Sequence, residues 1–228
     1  MKVSILRKRP TEEKQYWEDF IYDYDGDPGT TVAKVLDELN IRVELLNAAG
    51  EKVPRISWEC SCLQGMCGSC AMVINGAAAL ACETFLRDLG DEVTVRPLSK
   101  FPVISDLVVD RGIIHENALR AEAFIGESKP SSETEFEHRY AAARCLKCGL
   151  CLEVCPNYRA GGRFYGAEFA NECYLIATGS SVKDRDIRKE YDRHFAAGCS
   201  KLLACVDVCP MKIPTLSSMA HLNRNRQD

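Results

Sequence analysis

The run Cys145-Leu-Lys-Cys148-Gly-Leu-Cys151-Leu-Glu-Val-Cys155-Pro156 constrains this chain more than any other stretch, because its C-x2-C-x2-C-x3-C-P spacing holds iron–sulfur clusters in bacterial ferredoxins. In that pattern the first three thiolates bind one cluster and the fourth, before the proline, reaches across to a second. Cys155 therefore needs a partner run. It lies at Cys199-Ser-Lys-Leu-Leu-Ala-Cys205-Val-Asp-Val-Cys209-Pro210, which matches the first except that Leu202 stands where the middle cysteine is expected. Cross-ligation assigns Cys145, Cys148, Cys151 and Cys209 to one site and leaves Cys155, Cys199 and Cys205 for the other. Four thiolates suit a 4Fe–4S cubane. Three suit a 3Fe–4S cluster, since leucine offers an iron neither charge nor lone pair. Structural zinc is the competing reading, but zinc takes four ligands from paired cysteines. Seven cysteines in two proline-ended runs divide badly into tetrahedra.

A second cysteine group opens at Cys62-Leu-Gln-Gly-Met-Cys67-Gly-Ser-Cys70, with Cys82 further on, giving the C-x4-C-x2-C…C pattern of a plant-type 2Fe–2S site. Between Cys70 and Cys82 the dipeptide Asn75-Gly76 is the preferred two-residue hairpin turn. It predicts Ala71 to Ile74 pairing with Ala77 to Ala81, with Ile74 opposite Ala77. That register sets Cys70 opposite Ala81, so the hairpin carries the distant Cys82 to the loop. Gly65 and Gly68 suit a loop whose backbone N–H groups approach sulfur closely. Two of the thirteen cysteines, Cys60 and Cys173, are left without a motif and are expected to be small buried or half-buried thiols.

A net charge of −4 on 228 residues argues against a nucleic-acid partner and describes an ordinary chain of one or two domains. The start, Met1 to Arg9, lacks a signal peptide's apolar core, so the thiols are expected to stay reduced on the cytosolic side. No apolar run reaches the ~18 residues of a membrane helix; the longest are broken by Asp106, Glu83 or Lys34. Alternation predicts strands over Lys2 to Lys8 and Trp17 to Asp23, and a last strand over Val93 to Arg96. Thr30 or Thr31 caps a helix burying Val32, Val35, Leu36 and Leu39. Helical spacing recurs over Arg111 to Ile125. Residues 126–134 collect Gly, Pro and Ser and predict a loop, and the chain is mostly helical from Glu135 on. Gly161 to Gly166 lacks the features of a phosphate loop and predicts a turn before a helix near Ala167.

With these motifs in this order, the chain resembles the iron–sulfur subunits of succinate dehydrogenases and fumarate reductases over nearly its whole length. Trp58 to Cys70, Met72 to Gly76, Phe101-Pro-Val and Asp106 to Arg111 resemble phrases of that family. The resemblance implies an α+β chain: a β-grasp, plant-type ferredoxin domain over residues 1–106, then an all-α helical ferredoxin domain over 107–228. It also implies a flavoprotein partner holding FAD, and a membrane anchor subunit, a cytochrome b with haem, that supports quinone binding. Electrons would pass between FAD and quinone through the 2Fe–2S, 4Fe–4S and 3Fe–4S centres, with no substrate chemistry on this chain. Such a subunit sits peripherally on the cytoplasmic face of the bacterial inner membrane.

Ubiquinone-linked members resemble one another in a tryptophan after the first Cys-Pro and a histidine after the first cysteine of the last run. Here those positions are Ala160 and Ser200. Pro156 is retained, and Pro156, Ser200, Lys201 and Leu202 become the expected surroundings of the 3Fe–4S centre and a quinone, with menaquinone favoured. Lys201, Lys212, Arg224 and Arg226 add positive charge to the C-terminal half, worth ~1 kcal/mol each against an anionic leaflet. Two other readings remain open: a subunit serving another flavoprotein dehydrogenase or a soluble fumarate reductase, and a zinc-stabilised interaction protein.

Overall fold

Val3, Ile5 and Arg7 alternate with exposed or half-buried neighbours along β1 (Lys2–Arg7) and supply its inward row. β1 pairs antiparallel with β2 (Tyr16–Ile21), Lys2 facing Ile21 and Arg7 facing Tyr16. The helix α1 (Val32–Ile41) begins where Thr31 accepts a hydrogen bond from the Lys34 amide at 3.2 Å. As the apolar spacing predicts, α1 buries Val32, Val35, Leu36 and Leu39. β3 (Ala71–Ile74) and β4 (Ala77–Leu80) form the predicted hairpin in the predicted register, Ile74 facing Ala77. β5 (Glu92–Arg96) runs parallel to β1 and antiparallel to β3, completing a five-stranded sheet of order β2-β1-β5-β3-β4.

Asn75 does more than turn the hairpin. Its side chain accepts from the Thr94 amide at 2.7 Å and donates to the carbonyls of Leu89 and Glu92 at 3.3 Å, tying the turn to β5. Beyond β5, where the sequence predicts only a connection, β6 (Val103–Ser105) and β7 (Val108–Val109) make a small two-stranded sheet. Strands of three and two residues are too short for periodicity to register.

The computed structural model describes residues 1–181 and 184–224, in two units, Met1–Asp110 and Arg111–Asp228. In the second unit α2 (Gly112–Arg120) is shorter than the apolar spacing predicts, because Glu122 takes a left-handed conformation, φ 48°, which ends the helical ladder. α3 (Glu133–Ala143) starts earlier than expected. Ser132 and Glu135 form a reciprocal capping box, with the Glu135 amide donating to Ser132 Oγ at 3.3 Å and Glu135 Oε2 accepting from the Ser132 amide at 3.0 Å. α4 (Leu150–Glu153) and α7 (Ala204–Asp207) are single turns inside the two cysteine runs. Between them lie α5 (Ala167–Gly179) and α6 (Asp184–Tyr191), the latter followed by a π-helical turn over Asp192–Ala196. α8 (Thr215–Arg224) ends the described chain.

α5 begins where the Gly161 to Gly166 turn predicts and is the centre of this unit. Phe169, Ala170, Cys173, Tyr174, Ile176 and Ala177 are buried around its circumference, the signature of a helix enclosed by others. Tyr165, Tyr191, Phe195, Ile213, Met219 and Leu222 complete the core, and Cys145, Cys199 and Cys209 pack against its edge. Among the described residues no helix is long and apolar enough to cross a membrane.

Candidate metal centres

The first group of thiols is gathered by the β3–β4 hairpin. Cys70 immediately precedes β3, and Cys82 lies in the tight turn Ala81–Glu83 that follows β4. The Ala81 amide donates to the Cys70 carbonyl at 3.0 Å, which continues the ladder and brings the two sulfurs within 3.4 Å. The loop amides point inward. Gly65 N–H donates to Cys82 Sγ at 3.2 Å, while Gln64 and Met66 N–H groups donate to Cys62 Sγ at 3.4 and 3.3 Å. Ser69 and Cys62 hydrogen-bond Cys67 and lower it to about 6, favouring thiolate. Burial, followed by the neighbouring Cys70, pushes Cys82 up to about 12. The structure thus brings Cys62, Cys67, Cys70 and Cys82 to one loop, with backbone donors aimed at the sulfurs as anionic iron–sulfur groups require.

Gly65 makes that approach possible. Its φ is +71°, and a Cβ there would meet the Glu83 carboxylate at 2.9 Å.

The second and third groups are two copies of one loop. In each, the lysine two residues after the first cysteine is left-handed, Lys147 at φ 52° and Lys201 at φ 59°. The residue four after that cysteine is left-handed again, Gly149 at φ 85° and Leu203 at φ 64°. Each run then enters a single helical turn, α4 or α7, and ends in Cys-Pro. Leu202 occupies the place that Cys148 holds in the other copy and is 64% exposed.

The copies exchange their last cysteines. One hollow, about 340 Å³ including its mouth, is lined by Cys145, Cys148, Cys151 and, from the other run, Cys209. The other, about 360 Å³ including its mouth, is lined by Cys155 from the first run with Cys199 and Cys205. Pro156, Ser200, Lys201 and Leu202 line the second hollow as well, together with Phe164 and Phe195. The thiols ringing each hollow fit thiolate-held clusters in donor type and number. Among the described residues no three His, Cys, Asp or Glu side chains gather closely enough to hold a single metal ion.

Charges the motifs do not announce surround the first hollow. Lys147 is hydrogen-bonded and ion-paired to Glu168 and lies 3.2 Å from Glu172. Arg111 Nη1 donates to the Cys148 carbonyl at 3.4 Å. Burial, then Glu168, pushes Cys145 up to about 11, and burial raises Cys148 and Cys151. Burial pushes Glu168 up to about 7, with Lys147 pulling against it. Burial alone would lower Lys147, but the two carboxylates outweigh it and raise it. Lys147 sits inside the quoted motif, but nothing in the sequence places it beside Glu168.

Of the two unassigned thiols, Cys173 is buried as expected. Cys60 is exposed, which corrects the expectation of a half-buried thiol there. Lys201, Lys212 and Arg224 are exposed; Arg226 lies outside the described residues.

Residues 2–116 match the family described as the 2Fe-2S iron-sulfur cluster binding domain, and residues 141–213 match the 4Fe-4S dicluster domain. The chain is 31% identical to the succinate dehydrogenase iron-sulfur subunit of Bacillus subtilis, over 99% of its own length and 92% of the relative's. It is 34% identical to the fumarate reductase iron-sulfur subunit of Wolinella succinogenes, over 75% and 77% of the two chains. This chain belongs to the succinate dehydrogenase and fumarate reductase iron–sulfur subunits. The family's fold is confirmed in space: a chain of the Mycobacterium smegmatis Sdh1 complex in the apo form aligns with TM-score 0.78 at 22% identity, covering 100% of this chain and 97% of that one. Within the family, the mixed-sheet first unit carries the 2Fe–2S domain and the helical second unit the 4Fe–4S domain.

Proposed function

We propose that this subunit relays electrons between the FAD of a flavoprotein partner and a membrane quinone. Cys62, Cys67, Cys70 and Cys82 hold the 2Fe–2S centre. Cys145, Cys148, Cys151 and Cys209 hold a 4Fe–4S centre, and Cys155, Cys199 and Cys205 hold a 3Fe–4S centre. The observation that carries the third assignment is the repeated backbone of the two runs, which leaves Leu202 where the other copy has a ligand. When bound, the clusters supply reversible one-electron chemistry; the chain supplies ligands, burial and hydrogen bonds that set each potential.

The chain's own groups divide that work. Amides of Gln64, Gly65 and Met66 offer positive dipole ends to sulfur. Phe164, Phe195 and Pro156 give the last hollow apolar walls beside its half-buried thiols. Ser200, Lys201 and Leu202 form its open edge, all three exposed, and quinone, with menaquinone favoured, approaches there. A cytochrome b anchor lies against this C-terminal half, with Lys201, Lys212 and Arg224 turned toward an anionic leaflet on the cytoplasmic face of a bacterial membrane.

Purification of the intact complex tests the reading. Iron, acid-labile sulfide, one near-isotropic iron–sulfur EPR signal in the air-oxidised state, distinct from any ferric haem signal, and co-purification with a haem-bearing membrane protein are expected. Cross-linking should join Lys201 or Lys212 to that anchor. A zinc-loaded, colourless preparation would overturn the relay. Cross-links from the first unit instead would overturn the docking.

A further inference from the structure

The first two residues of α5 face different hollows. Ala167 lines the one that contains Cys155, Cys199 and Cys205, and Glu168 lines the one that contains Cys145, Cys148, Cys151 and Cys209. α5 is 13 residues long, so its N-terminus brings roughly half a positive charge to the wall between them. The carboxylate stands on one side alone. Its side chain is 5% exposed, so water and salt screen it weakly. Lys147 lines the same hollow and is its partner but also meets Glu172 at 3.2 Å; one cation against two carboxylates leaves that triad a formal charge of minus one, with Arg111 on the Cys148 carbonyl a second cation beside it.

We propose that Glu168 separates the potentials of the two C-terminal centres. Its buried carboxylate opposes an added electron on the 4Fe–4S centre it faces and lowers that centre's potential relative to the one facing Ala167. Lys147 does not cancel this, because its charge is shared between two acids. The effect is electrostatic and fixed by the fold, and it biases an electron toward the hollow that Leu202 leaves open. This inference rests on the relay proposed above.

The test is Glu168→Gln in the intact complex, titrated anaerobically and followed by EPR. The reduction equilibrium of the 4Fe–4S centre should shift by ~10-fold toward the reduced form, ~59 mV for a one-electron couple. The 3Fe–4S centre should move much less. Adding Lys147→Met to Glu168→Gln restores the net charge and should return the midpoint toward the wild-type value, which a merely structural role would not do. If Glu168→Gln fails to load its cluster, Glu172→Gln decides, with a smaller upward shift expected. An unmoved 4Fe–4S midpoint in the loaded variant, or equal movement of both C-terminal centres, would overturn the inference while leaving the relay intact. A wild-type complex without iron and sulfide would overturn both.

Discussion

The backbone amide of Gly65 reaches the sulfur of Cys82 at 3.2 Å, although the two are 17 residues apart in sequence. That contact exists because the Asn75-Gly76 turn folds β4 back on β3 and delivers Cys82 to the loop.

Cys82→Ala should accordingly abolish or weaken the 2Fe–2S centre and leave the two C-terminal centres assembled. The reduced EPR spectrum reads this directly. A normal 2Fe–2S signal in the variant would remove Cys82 from the ligand set and bring the nearby, exposed Cys60 into consideration.

Arg7 is a charge in the inward row of β1, where the alternation alone predicts an apolar residue. Its guanidinium meets Glu18 at 2.7 Å and Asp106 at 2.9 Å, with Arg7 and Asp106 side chains 3% and 4% exposed. It also donates to the carbonyls of Pro54 and Arg55 at 3.0 and 3.1 Å, fixing the segment that leads into the cysteine loop. Arg7→Met strands two carboxylates and should cost about 3–5 kcal/mol. A lower thermal midpoint for bleaching of the 2Fe–2S absorbance is expected. Adding Glu18→Gln and Asp106→Asn should restore part of the loss, and an unchanged midpoint in the single variant would show the network to be dispensable.

The paired loops give a backbone prediction with opposite signs. Gly149 and Leu203 hold the same left-handed position, at φ 85° and 64°, and that conformation costs a non-glycine residue about 1–2 kcal/mol. Gly149→Ala should therefore destabilise the second unit by about 1 kcal/mol, whereas Leu203→Gly should raise or leave unchanged its urea midpoint. Destabilisation by Leu203→Gly would mean that the half-exposed leucine contributes more by packing than its backbone costs.

Leu202→Cys restores the full spacing of the second run and offers a thiolate where Cys148 stands in the first. An oxidised 3Fe–4S cluster has an odd electron count and is paramagnetic, whereas oxidised 2Fe–2S and 4Fe–4S centres are EPR-silent. The oxidised signal should shrink as the site accepts a fourth iron, and the potential should fall as an anionic ligand is added. Quinone reduction should slow. A cluster-loaded wild-type complex with no oxidised signal would make Leu202 a surface residue with no bearing on cluster type.

What could be read before the fold was known depended on how locally it was encoded. The β3–β4 register follows from two residues, Asn75 and Gly76, whose turn geometry admits one pairing. The cysteines declare themselves because cluster geometry dictates their spacing. The placement of β5 between β1 and β3 is a long-range pairing that no window contains. The ion pairs of Arg7 with Asp106 and of Lys147 with Glu168 are equally silent, since a lone charged residue in a strand or helix reads as solvated surface. The early stop of α2 was hidden because Phe124 and Ile125 continue its apolar rhythm while standing 55% and 44% exposed.

The exchange of terminal cysteines between the two runs has a consequence for assembly. Neither C-terminal hollow is finished until the chain from 199 to 209 has been made and placed, because Cys209 closes the first and Cys199 and Cys205 form most of the second. The two are joined like links of a chain, so a ribosome-bound subunit that has emerged only to α6 offers complete ligands to neither. The N-terminal loop and hairpin owe nothing to that late segment. Chain order thus sets when each group of thiols is complete: the N-terminal four come first, and both C-terminal hollows wait for the same stretch of polypeptide.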